Sequence, residues 1–206
     1  MYSTDASVNA RARSASSRSR SAISVAPPVG SNCVGVVIAI PEPIADELRR
    51  WRASFRDPLA DVVPAHITLV TTTYYDDWQA TVQHVRNVAR RQTPFRVHIE
   101  GTGSFRPLSP VVYLNVTEGF SECVRLHERL QTGPLGRELP FAFHPHVTIA
   151  HDVSDESMDD AEHVLDSYEA SFEIGTMGLY EHDTNGVWRL REELNFGSQS
   201  PEQDAG

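Results

Sequence analysis

From Val34 onward the sequence passes through one series of patterns twice, and a duplicated series commits a chain to two similar units that must pack on each other. The first pass opens with the apolar run Val34 to Ile40 and continues through Pro41-Glu42-Pro43 into a stretch from Ile44 to Phe55. There Ile44, Leu48, Trp51 and Phe55 recur near the helical period, so an amphipathic helix is predicted. A strand His66-Ile67-Thr68-Leu69-Val70, a helix from Asp76 or Asp77 to Arg91 and a strand Phe95 to Gly101 follow. The second pass runs through a strand at Val111 to Val116, a helix at Phe120 to Leu130 and a strand His146-Val147-Thr148-Ile149-Ala150. A helix from about Glu156 to Ala170 and a strand from Phe172 to Tyr180 complete it. Corresponding elements are offset by 75 positions (Val37, Val112), 80 (His66, His146) and 77 (Phe95, Phe172). Offsets this steady predict two lobes related by a pseudo-twofold. Asp183-Thr184-Asn185-Gly186 then reads as a hairpin turn with Val187 to Leu190 as its return strand.

The segment 1–31 is rich in Ser, Ala and Arg and lacks the apolar residues a core needs, so it is expected to be a disordered tail; 32–197 is expected to form one bilobal domain and 198–206 a second tail. The Arg- and Ser-rich start also matches an organellar transit peptide, although the tail is the simpler reading. No run approaches the roughly 18 apolar residues of a membrane span, and Cys33 and Cys123 have no metal-type spacing, which together suggest a soluble protein of a reducing, cytoplasmic compartment. The formal net charge of −10 argues against tracking long double-stranded nucleic acid through a basic face; a short or terminal substrate fits better. The expected state is a monomer.

Chemistry is concentrated in the two matched strands. Side chains at i and i+2 of a strand share a face, so His66 and Thr68 look one way while Ile67 and Leu69 anchor the strand on the other; His146 and Thr148 repeat the arrangement. Two imidazoles facing each other across a cleft supply what phosphodiester cleavage without a metal needs: one takes a proton from the attacking water, and the other delivers a proton to the leaving oxygen. The threonine hydroxyls can donate to the non-bridging oxygens. One isolated His-x-Thr usually marks only a satisfied histidine on a half-buried strand; two at corresponding places of a duplicated scaffold do not arise readily that way. A metal reading of His144, His146 and His151 lacks a carboxylate or cysteine at a familiar spacing, and the first pass has no counterpart of His144, so neither metal nor cofactor is expected. The acidic residues from Asp152 to Glu162 suit the start of a helix.

At Pro64-Ala65-His66-Ile67-Thr68-Leu69 and Phe143-His144-Pro145-His146-Val147-Thr148-Ile149 the chain resembles the two-histidine (2H) phosphoesterases, particularly the 2'-5' RNA ligase and RNA 2',3'-cyclic phosphodiesterase group. The likeness extends from about Val34 to Phe196. It implies an α+β bilobal fold in which two antiparallel sheets face a central cleft with helices outside. It also implies metal-free opening of a 2',3'-cyclic phosphate, on an RNA 3' end or a small nucleotide, to a 2'-phosphate, with reversible 2'-5' ligation in some bacterial members. By the family's pattern His66 protonates the leaving 3'-oxygen and His146 activates water; the residues alone do not fix which does which. Phe105 and Arg106, between the passes, are candidates for base stacking and phosphate pairing, with connector packing the competing reading. Arg189 alternates with Trp188 on the final strand and could reach the cleft, but a solvated face is the simpler expectation. A nucleotide-binding module without turnover, and a metallohydrolase using the His144 cluster, are the alternative functions.

Overall fold

The computed structural model describes residues 32–182 and 187–197, so the two expected tails and the turn expected at Asp183 to Gly186 lie outside the described residues. Along the chain the elements are β1 (Cys33–Ala39), α1 (Ile44–Ser54), β2 (His66–Tyr74), α2 (Trp78–Arg90), β3 (Phe95–Ser104) and β4 (Val111–Glu118). They continue with α3 (Phe120–Leu130), β5 (His146–His151), α4 (Asp155–Val164), β6 (Glu169–Ile174), β7 (Thr176–His182) and β8 (Trp188–Asn195). α2 and α4 begin at side-chain caps: the Asp77 carboxylate accepts the Ala80 N–H at 3.1 Å, and the Ser154 hydroxyl accepts that of Ser157 at 3.2 Å. No helix among the described residues is long and apolar enough to cross a membrane.

Among the described residues the eight strands belong to one antiparallel sheet, ordered β6-β3-β4-β5-β2-β1-β7-β8, which corrects the expectation of two separate sheets. Two four-stranded lobes are present, but the sheet runs on between them through one residue pair, Ile67 opposite Val147. The lobes also differ from the halves of the sequence. β3 leaves the first half to pair with β4, and β7 leaves the second half to pair with β1. The strand expected from Phe172 to Tyr180 is therefore two strands, split at Gly175: β6 pairs with β3 in one lobe and β7 with β1 in the other. The last helix stops at Val164 rather than Ala170, because the chain turns over Leu165 to Tyr168 to place Glu169 at the start of β6.

Helices cover one face of the sheet. Ile38, Ile67, Leu69, Leu114, Val147 and Ile149 from the strands meet Leu48 of α1, Val85 of α2, Leu126 of α3 and Ala161 of α4 in one connected core. α1 packs on β5 and α3 on β2, so each crosses the seam between the lobes and supports it from behind. The opposite face of β2 and β5 is left partly open.

The chain entering β2 is fixed by a buried ion pair. Arg52 and Asp57 are each 5% exposed, with Arg52 Nε 2.9 Å from Asp57 Oδ2; a second guanidinium N–H donates to the Val63 carbonyl, and Asp57 Oδ1 accepts the Leu59 N–H. Removing one partner strands a charge inside the protein, a cost of about 3–5 kcal/mol. Asp57→Ala is expected to lower unfolding free energy by about that amount in a urea titration, whereas Asp61→Ala, whose pair with Arg49 is exposed, is expected to change it by less than about 1 kcal/mol.

Candidate active site

The two His-x-Thr strands carry the same burial pattern over their first five residues: His66 and Thr68 partly open with Ile67, Leu69 and Val70 buried, and His146 and Thr148 partly open with Val147, Ile149 and Ala150 buried. Two successive buried residues break the alternation because each strand bulges there. Val37 stands opposite Thr68 but Val36 opposite Val70, which makes Leu69 the extra residue; Tyr113 stands opposite Thr148 but Val112 opposite Ala150, which makes Ile149 the extra one. A bulge bends its strand and increases its twist. Two of them at equivalent places let β2 and β5 meet at one pair and then diverge.

That pair sets the site. With Ile67 opposite Val147 in an antiparallel register, His66 stands beside Thr148 and Thr68 beside His146, all four on the open face. The histidines are then diagonal neighbours, whose Cβ atoms in a regular ladder lie roughly 7–8 Å apart.

Each imidazole is oriented by its own strand. His66 Nδ1–H donates to the Pro64 carbonyl at 2.8 Å, and His146 Nδ1–H to the His144 carbonyl at 2.7 Å, both two residues upstream. Because a carbonyl only accepts, the neutral rings carry their hydrogen on Nδ1 and keep Nε2 as the basic nitrogen. Burial lowers the pKa of both. For His66 the charge of Arg52 adds to desolvation while the carbonyl bond opposes it; for His146 desolvation, against the same kind of bond and with contributions from the His144 and His66 charges, brings the value to about 4. Only part of each ring reaches solvent, so its charged form is poorly hydrated. Both shifts favour the neutral rings at pH 7.

Around His146 lies an aromatic wall. The Phe105 ring meets His146 edge-on at 5.0 Å and Tyr113 at 4.4 Å, and His144 packs against Phe105, Tyr113 and Phe120 at 5.3–5.9 Å. Phe105 thus joins the histidine pair's surroundings. Arg106 does not: its guanidinium is held by Asp159 at 2.7 Å and Glu162 at 2.8 Å and ties the β3–β4 connection to α4. His144 and His146 lie 6.2 Å apart between ring centroids, and no group of three or more His, Cys, Asp or Glu side chains suited to a metal forms among the described residues. Arg189 stands opposite Glu181, on the face away from the His-x-Thr residues.

Sequence reasoning passed over Tyr113 and His127. Tyr113 follows from the strand alternation only once β4 is known to pair with β5. His127 of α3, 7% exposed, donates from Nδ1 to the Leu69 carbonyl at 2.7 Å, and its ring lies flat on Phe143 at 3.9 Å. It ties the bulge of β2 to the residue that precedes His144. His127→Ala is expected to leave that carbonyl unpaired and to cost about 1–3 kcal/mol in chemical denaturation, with His127→Gln restoring part of the loss.

A family model described as the 2'-5' RNA ligase superfamily matches residues 40–186. A Bacillus mycoides relative that bears the name "Putative phosphoesterase" is 30% identical over 171 residues, covering 81% of this chain and 98% of its own, and a Bacillus licheniformis protein of the same name is 30% identical over 168 residues, 80% and 98%. Among solved structures, Escherichia coli LigT complexed with 3'-AMP superposes with a TM-score of 0.59 at 20% identity, over 82% of this chain and 99% of that one. A Thermus thermophilus protein gives 0.58 at 19% identity, over 82% and 100%. The fold is therefore shared with LigT, and the sequence match, running through both His-x-Thr strands, shows that the chain belongs to the 2'-5' RNA ligase superfamily of two-histidine phosphoesterases.

Proposed function

We propose that this phosphoesterase opens 2',3'-cyclic phosphates, on RNA ends or small nucleotides, to 2'-phosphates without a metal. The observation that carries the reading is the Ile67–Val147 register, which sets two Nε2-basic imidazoles diagonally on one face with a threonine beside each. In the reaction His146 accepts a proton from water as the water oxygen bonds to phosphorus. The bond from phosphorus to the 3'-oxygen breaks, and protonated His66 supplies the proton of the new 3'-hydroxyl. Thr68 and Thr148 donate to the non-bridging oxygens, where charge accumulates. A 5'-hydroxyl in place of water would give a 2'-5' linkage by the same steps, which makes ligation the same chemistry with another nucleophile. E. coli LigT, which has this fold, is complexed with 3'-AMP in one crystal structure and with ATP in another, which supports a nucleotide in the cleft. Phe105, whose ring lies 5.0 Å from that of His146, would stack on a base.

The substrate's negative charge is part of the mechanism. It raises the pKa of both rings in the complex, so that one can be protonated while the other stays neutral. In the free enzyme both values lie below 6.5, and the form with one proton on the pair is most populated on the acid side of neutrality. The profile of kcat/KM against pH is therefore expected to be bell-shaped with its maximum below pH 6.5, and that of kcat to be displaced upward. An RNA ending in a 2',3'-cyclic phosphate, incubated in chelator, is expected to yield a terminal 2'-phosphate, with His66→Ala and His146→Ala each slower by at least about 100-fold. Binding without turnover would leave a nucleotide-binding module; activity lost in chelator and restored by zinc would point to a metallohydrolase.

A further inference from the structure

The face that carries His66 and Thr68 continues across the other strands of its lobe. Thr68 stands opposite Val37, and Val37 opposite Gly178. In the next rows Gly35, Tyr180 and Leu190 share that face, then Cys33, His182 and Trp188. The two glycines leave room for flat rings. A Cβ at Gly178 would lie 2.8 Å from the Tyr180 ring and 3.2 Å from Leu190, so the phenol is folded back toward the Thr68 row. A Cβ at Gly35 would lie 3.7 Å from the Trp188 indole. Trp188 belongs to β8 and Gly35 to β1, with β7 between them, so the indole lies across the sheet instead of standing on it. Its edge contact with His182, at 5.2 Å, holds it down. Trp188 remains 37% exposed and Leu190 51%.

We propose that Trp188 and Tyr180, bordered by Leu190, form a stacking platform for a second nucleobase, so that the enzyme takes a di- or oligonucleotide end in preference to a mononucleotide. The platform is continuous with the candidate phosphate site: Gly35, under the indole, is two residues from Val37, roughly 7 Å along the strand and about one nucleotide's reach from Thr68. The other lobe has its own ring on glycine, since a Cβ at Gly103 would lie 2.7 Å from Tyr113, beside Phe105 and His146. A phosphate between the histidines would thus have aromatic surface on both sides. A flat π-face suits any base, and stacking on one aromatic side chain is worth about tenfold in affinity or more. The inference rests on the nucleotide reading given above.

The test is equilibrium binding of two unreactive products, adenosine 2'-phosphate and a diadenylate ending in a 2'-phosphate, together with turnover of the two matching cyclic phosphates. The parent is expected to bind the dinucleotide about tenfold more tightly than the mononucleotide, Trp188→Ala to bring that ratio below about twofold, and Trp188→Phe to restore most of it. Circular dichroism and thermal unfolding show whether each variant is folded, and Tyr180→Leu offers an independent variant of the same platform. Equal affinity of the parent for both ligands, or equal loss of both in Trp188→Ala, overturns the platform. If the parent turns over the mononucleoside cyclic phosphate and gains nothing from the second nucleotide, the platform alone falls. Binding of neither ligand overturns the platform and the nucleotide reading together.

Discussion

The pairing of Ile67 with Val147 is the contact on which the molecule turns. Among the described residues it is the one place where the two lobes share the sheet, and both side chains are buried on the helix side. Because strand faces alternate, the same contact that hides Ile67 and Val147 turns His66, Thr68, His146 and Thr148 to the open side. A shift of either strand by one residue would exchange that strand's two sets, burying its histidine and threonine and exposing its apolar row. Packing and chemistry are thus specified by one pair, and the core enforces the site's geometry.

Bulges keep that contact short. Leu69 and Ile149 each insert an extra residue one position beyond the threonine, so β2 and β5 twist apart and a cleft opens instead of a flat sheet. The helices α1 and α3 cross behind the seam, and the exchange of β3 and β7 between the halves makes each lobe depend on both ends of the chain. His127 holds the carbonyl of one bulge while its ring supports Phe143. The cleft rests on rigid elements, which suits a reaction that needs two proton-transfer groups at fixed separation.

Much of this was legible in the sequence because it is local. The order of elements and the faces of the His-x-Thr strands depend on residues within a few positions of one another. What was not legible depends on distant pairing. No local signal says that β7 must return to β1, so one long strand was expected where Gly175 divides two, and a joined sheet was read as two. Arg106 could be read as a phosphate ligand or as connector packing; its carboxylate partners, Asp159 and Glu162, are more than fifty positions away. Tyr113 and Trp188 looked like ordinary strand residues, because their place beside the open face follows only from the register of neighbouring strands.

The open face is also where the protein maintains an unfavourable electrostatic situation. Two imidazoles with their bodies buried, His66 also near the Arg52 charge, have pKa values lowered chiefly by desolvation, and in the proposed mechanism a bound phosphate raises them. Nitrogen-15 NMR of the two imidazoles across a pH titration, with and without bound nucleoside 2'-phosphate, tests this account most directly. It should find both neutral rings with hydrogen on Nδ1, both pKa values below 6.5 in the free protein, and both raised when the phosphate binds. Two rings that titrate independently at ordinary values and do not respond to the ligand would contradict it.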